Sequence, residues 1–206
     1  MAHVVDTSKG LPPHPERATQ EGKNKILGFW VFLGGETLVF ATLFGTFLGL
    51  RNGTAGGPSG KDIFGLELVF LMTMFLLTSS LTSVLAMYAM KKNEFGKMKM
   101  WLWITVLLGL GFIGCEIFEF YEYTIHYDMG YEASAFASSF YTLVGTHGAH
   151  VLFGLGWFLT LLFRYNNKGI TLYNAPKFYL ASLYWHFIDV VWIFIFTVVY
   201  LVGIGG

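Results

Sequence analysis

Tyr184-Trp185-His186-Phe187-Ile188-Asp189-Val190-Val191-Trp192 lies inside an apolar run from about Phe178 to Ile204. About 20 apolar residues at 1.5 Å each are enough to cross the hydrocarbon of a bilayer. A histidine and an aspartate three positions apart project from one face of such a helix. An ionised group at that depth is costly unless it is paired or neutralised, so both must face protein. The rest of the chain is expected to supply their partners.

Composition agrees with a membrane setting. Of 206 residues, 54% are hydrophobic and 13% charged, against about 25% charged in soluble domains. Net charge is zero, which excludes the basic surface that nucleic-acid binding needs. The single cysteine, Cys115, falls in an apolar run. It reads as a small core residue, since one thiol makes neither an internal disulfide nor a metal site.

Five apolar runs follow a polar tail over 1–25, at about 26–50, 63–90, 100–126, 136–163 and 178–203. The tail contains Leu11-Pro12-Pro13-His14-Pro15, which breaks regular structure, and it is expected to be mobile. It shows no apolar h-region followed by a small-residue cleavage site, so no cleaved signal peptide is expected. Continuous apolar runs, rather than ten-residue alternations, exclude a β-barrel. The expected fold is therefore an all-α polytopic membrane protein with a five-helix transmembrane domain over 26–206.

Charge sets the expected orientation. Lys9, Arg17, Lys23 and Lys25 precede the first span, Lys91, Lys92, Lys97 and Lys99 lie between the second and third, and Arg164, Lys168 and Lys177 between the last two. Only Arg51 and Lys61 remain of the 13 basic residues. The positive-inside rule then places the N-terminus inside and the C-terminus outside. Trp101, Trp103, Tyr121, Tyr123, Tyr127 and Tyr131 near the span ends read as an interfacial aromatic belt. Trp30, Arg51 and Arg164 are candidates for holding lipid headgroups. Glycines such as Gly34, Gly35, Gly45, Gly49, Gly109, Gly148 and Gly154 read as points of close helix approach.

Three polar pairs at i, i+3 stand at membrane depth: Glu116 with Glu119, His147 with His150, and His186 with Asp189. With the orientation above, all lie roughly 15–30 Å from the inner boundary. They are expected to form one buried acid–histidine network joining the last three spans. Glu36 in the first span has no cation near it in sequence and is expected as a separate, buried, neutral acid. Such a network could ligate a metal or haem, carry protons, or simply fix helix packing. Hydrolysis has no support, because neither Gly-x-Ser-x-Gly nor His-Glu-x-x-His occurs.

These residues also carry a resemblance. The stretch Tyr184–Trp192 resembles the signature of subunit III of haem-copper terminal oxidases, and Gly145-Thr146-His147-Gly148-Ala149-His150-Val151 resembles the family's G-x-H-G-x-H-V segment. Glu116-Ile117-Phe118-Glu119-Phe120 is similar to its Q-x-x-E-Y pattern, with Glu for Gln and Phe for Tyr. Gly34-Gly35-Glu36 resembles the segment that carries the family's buried glutamate. Longer family members have seven helices, and this chain resembles the five-helix bacterial form, of the caa3-like kind, that lacks the first two.

The resemblance implies an accessory subunit of a cytochrome c oxidase in a bacterial plasma membrane, with no catalytic residue, metal or redox centre of its own. Haem and copper would sit in partner subunits. Subunit I would be its main contact, with subunits II and IV in the same complex, and bound phospholipid and proton uptake would be its concerns. Glu36 would be the acid near the lipid or subunit I contact. A quinol oxidase is the alternative within the family. A stand-alone proton-coupled carrier and a haem-binding electron-transfer protein are the alternatives outside it, although five dissimilar spans show no inverted repeat.

Overall fold

A computed structural model describes residues 11–205, apart from the side chain of Asp62. The first ten residues of the expected tail, with Lys9, lie outside the described residues. A single helical turn, Pro15–Arg17, precedes α1 (Gln20–Leu50). The short α2 (Gly60–Ile63) leads into α3 (Leu66–Lys91), followed by α4 (Phe95–His126), α5 (Ala135–Arg164) and α6 (Ala175–Ile195). The last helix winds on through a π-helical stretch, Phe196–Leu201, into α7 (Val202–Gly205). Five helices are long and apolar enough to cross a membrane, and the described residues form no strand. The expected all-α, five-span fold is what the chain adopts.

Helices α3 and α4 form a tight hairpin, and α5 and α6 close a four-helix bundle by packing on α4 and α3. Its centre is filled by large side chains with essentially no exposure, among them Phe112, Phe140, Phe158, Trp185 and Trp192. Helix α1 lies outside this bundle, against α5 and α6. Its buried apolar residues are Ile26, Leu33, Phe40 and Phe47, one every seven positions. A strict seven-residue repeat keeps one narrow seam facing a neighbour. The rest of α1, including Trp30, Val31 and Leu38, is exposed.

Local chemistry sets the helix ends. Thr19 and Ser134 cap α1 and α5, each accepting a 3.0 Å hydrogen bond from a first-turn backbone N–H. Asn174 ties the turn before α6 by accepting from Thr171 N–H at 2.8 Å and donating to the Gly169 carbonyl at 2.8 Å. Pro176 follows in the first turn of α6, where its missing N–H costs nothing.

The described part of the tail does not behave as expected. Arg17 donates to the Tyr179 hydroxyl at 3.1 Å and stacks on its ring, and Glu16 is buried. A Cβ on Gly22 would meet Pro176 Cγ at 3.4 Å, so α1 starts in contact with α6. Packing of the first turns extends the helix to Gln20, ahead of the apolar run from which the span was read.

The glycines divide sharply. A Cβ on Gly109 would lie 2.7 Å from the Trp185 ring and 2.8 Å from Leu155, and one on Gly154 would lie 3.0 Å from the same ring. Gly34, Gly35, Gly45 and Gly49 would meet nothing within 4 Å, so within this chain they are not the close contacts the sequence suggested. Gly109→Ala is expected to cost about 1–3 kcal/mol by overpacking. Gly34→Ala should leave the stability of the solitary chain unchanged. Denaturant titration of the purified chain, followed by tryptophan fluorescence, separates the two.

Candidate functional site

The polar residues at membrane depth do not form one network. They fall into separate groups, because three helical steps stop about 60° short of a full turn. That offset turns His147 into the bundle and His150 towards α1.

Glu36 and His150 make the first group. The Glu36 carboxyl Oε2 stands 3.1 Å from His150 Nε2, with the two side chains 20% and 22% exposed. Glu36 is thus neither fully buried nor alone. The acid that sequence spacing set apart takes its partner from α5, 114 positions away. His150 Nδ1 lies 2.7 Å from the Thr146 carbonyl oxygen, which can only accept, so Nδ1 carries hydrogen and donates. A hydrogen bond along the line between Nε2 and Oε2 needs a second hydrogen, on one atom or the other. Either a carboxylic acid donates to the ring, or an imidazolium donates to a carboxylate. Either arrangement leaves the pair without net charge, which suits an apolar setting. Phe40 packs on the ring at 5.0 Å between centroids. A shallow groove lined by Phe32, Ala149, His150, Phe153 and Tyr184 opens beside the pair.

Glu119 anchors the second group. It has no exposure, and it accepts from Tyr123 at 3.0 Å and from Tyr200 at 2.8 Å. Tyr123, expected in the interfacial belt, is instead buried, because its hydroxyl is needed by a carboxyl one turn earlier. Tyr121 and Tyr131 do lie exposed. Tyr200 had no reading in the sequence. The π-helical stretch inserts an extra residue per turn and leaves the adjacent Val199 and Tyr200 both buried. No sequence pattern announced that widening.

The third group was also unforeseen. Helix α3 carries Thr73, Ser79, Ser80, Thr82 and Ser83 in an apolar run, and these hydroxyls receive the polar edges of α6 and α4. Trp185 donates its indole N–H to Ser79 at 2.9 Å, and Trp192 donates to Thr73 at 3.0 Å. Ser80 lies 2.8 Å from His186 Nδ1. Ser83 pairs with Ser182 and Thr82 with Thr105, both at 2.8 Å. The signal was present as a cluster of hydroxyls in a membrane span. His186 therefore bonds across to α3, and makes no ion pair with Asp189 among the described residues.

Glu116, His147 and Asp189 are the interior polar groups left partly uncompensated. Glu116 Oε1, both ring nitrogens of His147 and Asp189 Oδ1 have no hydrogen-bond partner among the described residues. The Glu116 carboxyl presses on Gly148, where a Cβ would collide with it. His147 is wedged between Phe112 and Trp192, at centroid distances of 5.7 and 5.3 Å. Among the described residues no three His, Cys, Asp or Glu side chains are grouped to hold a metal ion. Of the headgroup candidates, Trp30 is exposed near the start of α1, Arg164 ends α5, and Arg51 caps the C-terminus of α1.

Comparison with known proteins gives this arrangement a context. The model of the family described as cytochrome c oxidase subunit III matches residues 9–204. Cytochrome c oxidase subunit 3 of Alkalihalophilus pseudofirmus is 71% identical over the whole of both chains. Its counterpart in Bacillus subtilis is 62% identical over 97% of each. Quinol oxidase subunit 3 of Bacillus subtilis is 47% identical over the whole of both. With five membrane-length helices and this match across nearly its full length, the chain belongs to the cytochrome c oxidase subunit III family, the multi-pass plasma-membrane subunits III of haem-copper oxidases.

Proposed function

We propose that this chain is the accessory subunit III of an oxidase that takes electrons from cytochrome c. It would brace subunit I, share the complex with subunits II and IV, and leave haem and copper to its partners. The observation that carries the choice of donor is the contrast within one organism. The Bacillus subtilis relative named for cytochrome c is 62% identical, and the one named for quinol 47%.

The polar groups fit a supporting role. Glu36 and His150 pair at the edge of the bundle beside an open groove, where lipid or subunit I would meet them. Glu116, Glu119, His147 and Asp189 lie further in, with His186 half-buried against α3, and they fix the helices that present this edge. The N-terminus lies inside and the C-terminus outside in this reading. Support comes from the bonds of Lys99 to Asn166 and of Arg17 to Tyr179, which gather the tail, the α3–α4 turn and the α5–α6 loop, with their cations, at one end. Trp30 and Arg164 at that end would meet lipid headgroups.

Affinity purification of the tagged chain in mild detergent tests the assignment. It is expected to bring a haem-copper subunit I and to oxidise reduced cytochrome c. Oxidation of a quinol instead would move it to the other branch, and a solitary chain with no partner contradicts the proposal. A Soret band from the chain alone would favour the haem-binding reading. The Glu36–His150 pair has its own test. Glu36→Gln keeps a donor for Nε2 and should retain most stability, whereas Glu36→Leu strands the ring nitrogen. The second variant is expected to lose about 1–3 kcal/mol, read by denaturant titration of the complex.

A further inference from the structure

Tyr123 and Tyr200 converge on the two oxygens of Glu119, and this buried group sits in the middle of a longer line of oxidisable rings. Trp192 packs on Tyr200 with centroids 6.1 Å apart, and Tyr123 packs on Tyr127 at 6.2 Å. Between these two pairs, the carboxyl joins the phenols of Tyr200 and Tyr123 by hydrogen bonds of 2.8 and 3.0 Å. Trp192 and Tyr200 have no exposure and Tyr123 has 3%, whereas Tyr127, which ends α4, is 38% exposed. The line thus runs from the bundle core to the surface. Phe64, Phe112 and Phe140 flank it. Phenylalanine is much harder to oxidise than tryptophan or tyrosine, so these rings insulate its sides.

Filling space does not ask for this arrangement. A buried phenol brings a hydroxyl that has to be satisfied, and phenylalanine would occupy nearly the same volume. Trp185, two turns earlier on α6, shows the plainer case. Its indole is bonded to Ser79 at 2.9 Å, its ring neighbour is Phe158 at 5.5 Å, and no phenol packs on its ring among the described residues. A phenol that loses an electron becomes a strong acid. Inside hydrocarbon it can be oxidised only with a base in hydrogen-bond reach to take the proton. Glu119 stands in that position for two phenols at once, since each of its oxygens accepts from one of them. Trp192 has no such base, because its indole N–H meets only the Thr73 hydroxyl at 3.0 Å. An oxidising equivalent on Trp192 is therefore drawn on to Tyr200.

We infer that Trp192, Tyr200, Glu119, Tyr123 and Tyr127 form a relay that carries single oxidising equivalents out of the bundle to its surface. A one-electron oxidant, of the peroxide-derived kind that oxygen reduction releases, takes an electron from Trp192. Trp192 recovers it from Tyr200, whose hydroxyl proton moves to Glu119 Oε2. Tyr123 then supplies an electron to Tyr200. Its own proton passes to Glu119 Oε1 as Oε2 returns the first, so the carboxyl carries one proton throughout. Tyr127 supplies the next electron, Glu119 gives its proton back to Tyr123, and Tyr127 releases its own proton to water. A thiol at the surface restores Tyr127 by giving up one hydrogen atom. In sum, the oxidant gains one electron, the thiol becomes a thiyl radical, one proton enters water, and the chain is left unchanged.

The test illuminates the purified complex with light that excites indoles but not phenols. A cobalt(III) ammine takes the ejected electron, a nitroso trap marks tyrosyl radicals, and mass spectrometry maps the adducts. Tyr127 is expected to carry more adduct than Tyr121 and Tyr131, although these are 61% and 58% exposed. Trp192→Phe and Tyr200→Phe should each remove that excess, and Trp185→Phe should leave it. Glu119→Gln should remove it with both rings still in place, a loss that a role in packing alone does not produce. Adducts that follow exposure would overturn the inference, as would an excess that survives Tyr200→Phe or Glu119→Gln. Only the source of the oxidant rests on the haem-copper partner proposed above. Hydrogen peroxide in place of light should give the same pattern if oxygen chemistry in that partner is the source. Labelling under light alone would overturn that source and support the relay.

Discussion

Hydrocarbon offers no hydrogen bonds, so a polar side chain inside a membrane bundle must find its partner on another helix or leave an expensive group unmet. That constraint fixes the register here. The Trp185 and Trp192 indoles donate to hydroxyls of α3 on the side of α6 that fills the core. Glu119 on α4 takes two phenol donors, one from its own helix and one from the far end of the chain. Apolar packing alone would let these helices slide, since lipid tails are as apolar as leucine. A slip of one turn would strand each donor that crosses between helices, the two indoles and Tyr200.

The same constraint explains why α1 stands apart. It touches the bundle along a single seam of Ile26, Leu33, Phe40 and Phe47, and its ionisable group at depth, Glu36, is met by His150. Because His150 meets the Glu36 carboxyl at 3.1 Å, α1 can dock at the rim without leaving that carboxyl unpartnered in lipid. Its outer face keeps exposed apolar side chains, and glycines whose missing Cβ atoms meet nothing in this chain. A subunit that works within a larger assembly has use for such a face.

Much of this was legible from the sequence. Continuous apolar runs and the lopsided lysines and arginines dictated five helices, because membrane thickness and translocation cost leave few alternatives. The motifs around His147, Glu119, Trp185 and Asp189 pointed to the family. The grouping of the polar residues was not legible. Spacing along one helix says which residues share a face, but not which neighbour that face meets. Hence Glu36 looked unpartnered and His150 was assigned to the wrong cluster. Tyr123 read as interfacial because tyrosines near span ends usually are. Tyr200 was invisible, since a π-helical turn leaves no mark in hydrophobic periodicity, and the α3 hydroxyls, being uncharged, did not stand out from the apolar run around them.

The central claim is that hydrogen bonds buried at membrane depth, rather than apolar packing alone, set the helix register. A double-mutant cycle between Glu119→Gln and Tyr200→Phe, read by denaturant titration of the purified protein, tests it most directly. The contact at 2.8 Å predicts a coupling of at least about 1 kcal/mol, as expected for groups in direct contact. Losses that add to within about 0.3–0.5 kcal/mol would show that the two residues act independently, and would contradict the account.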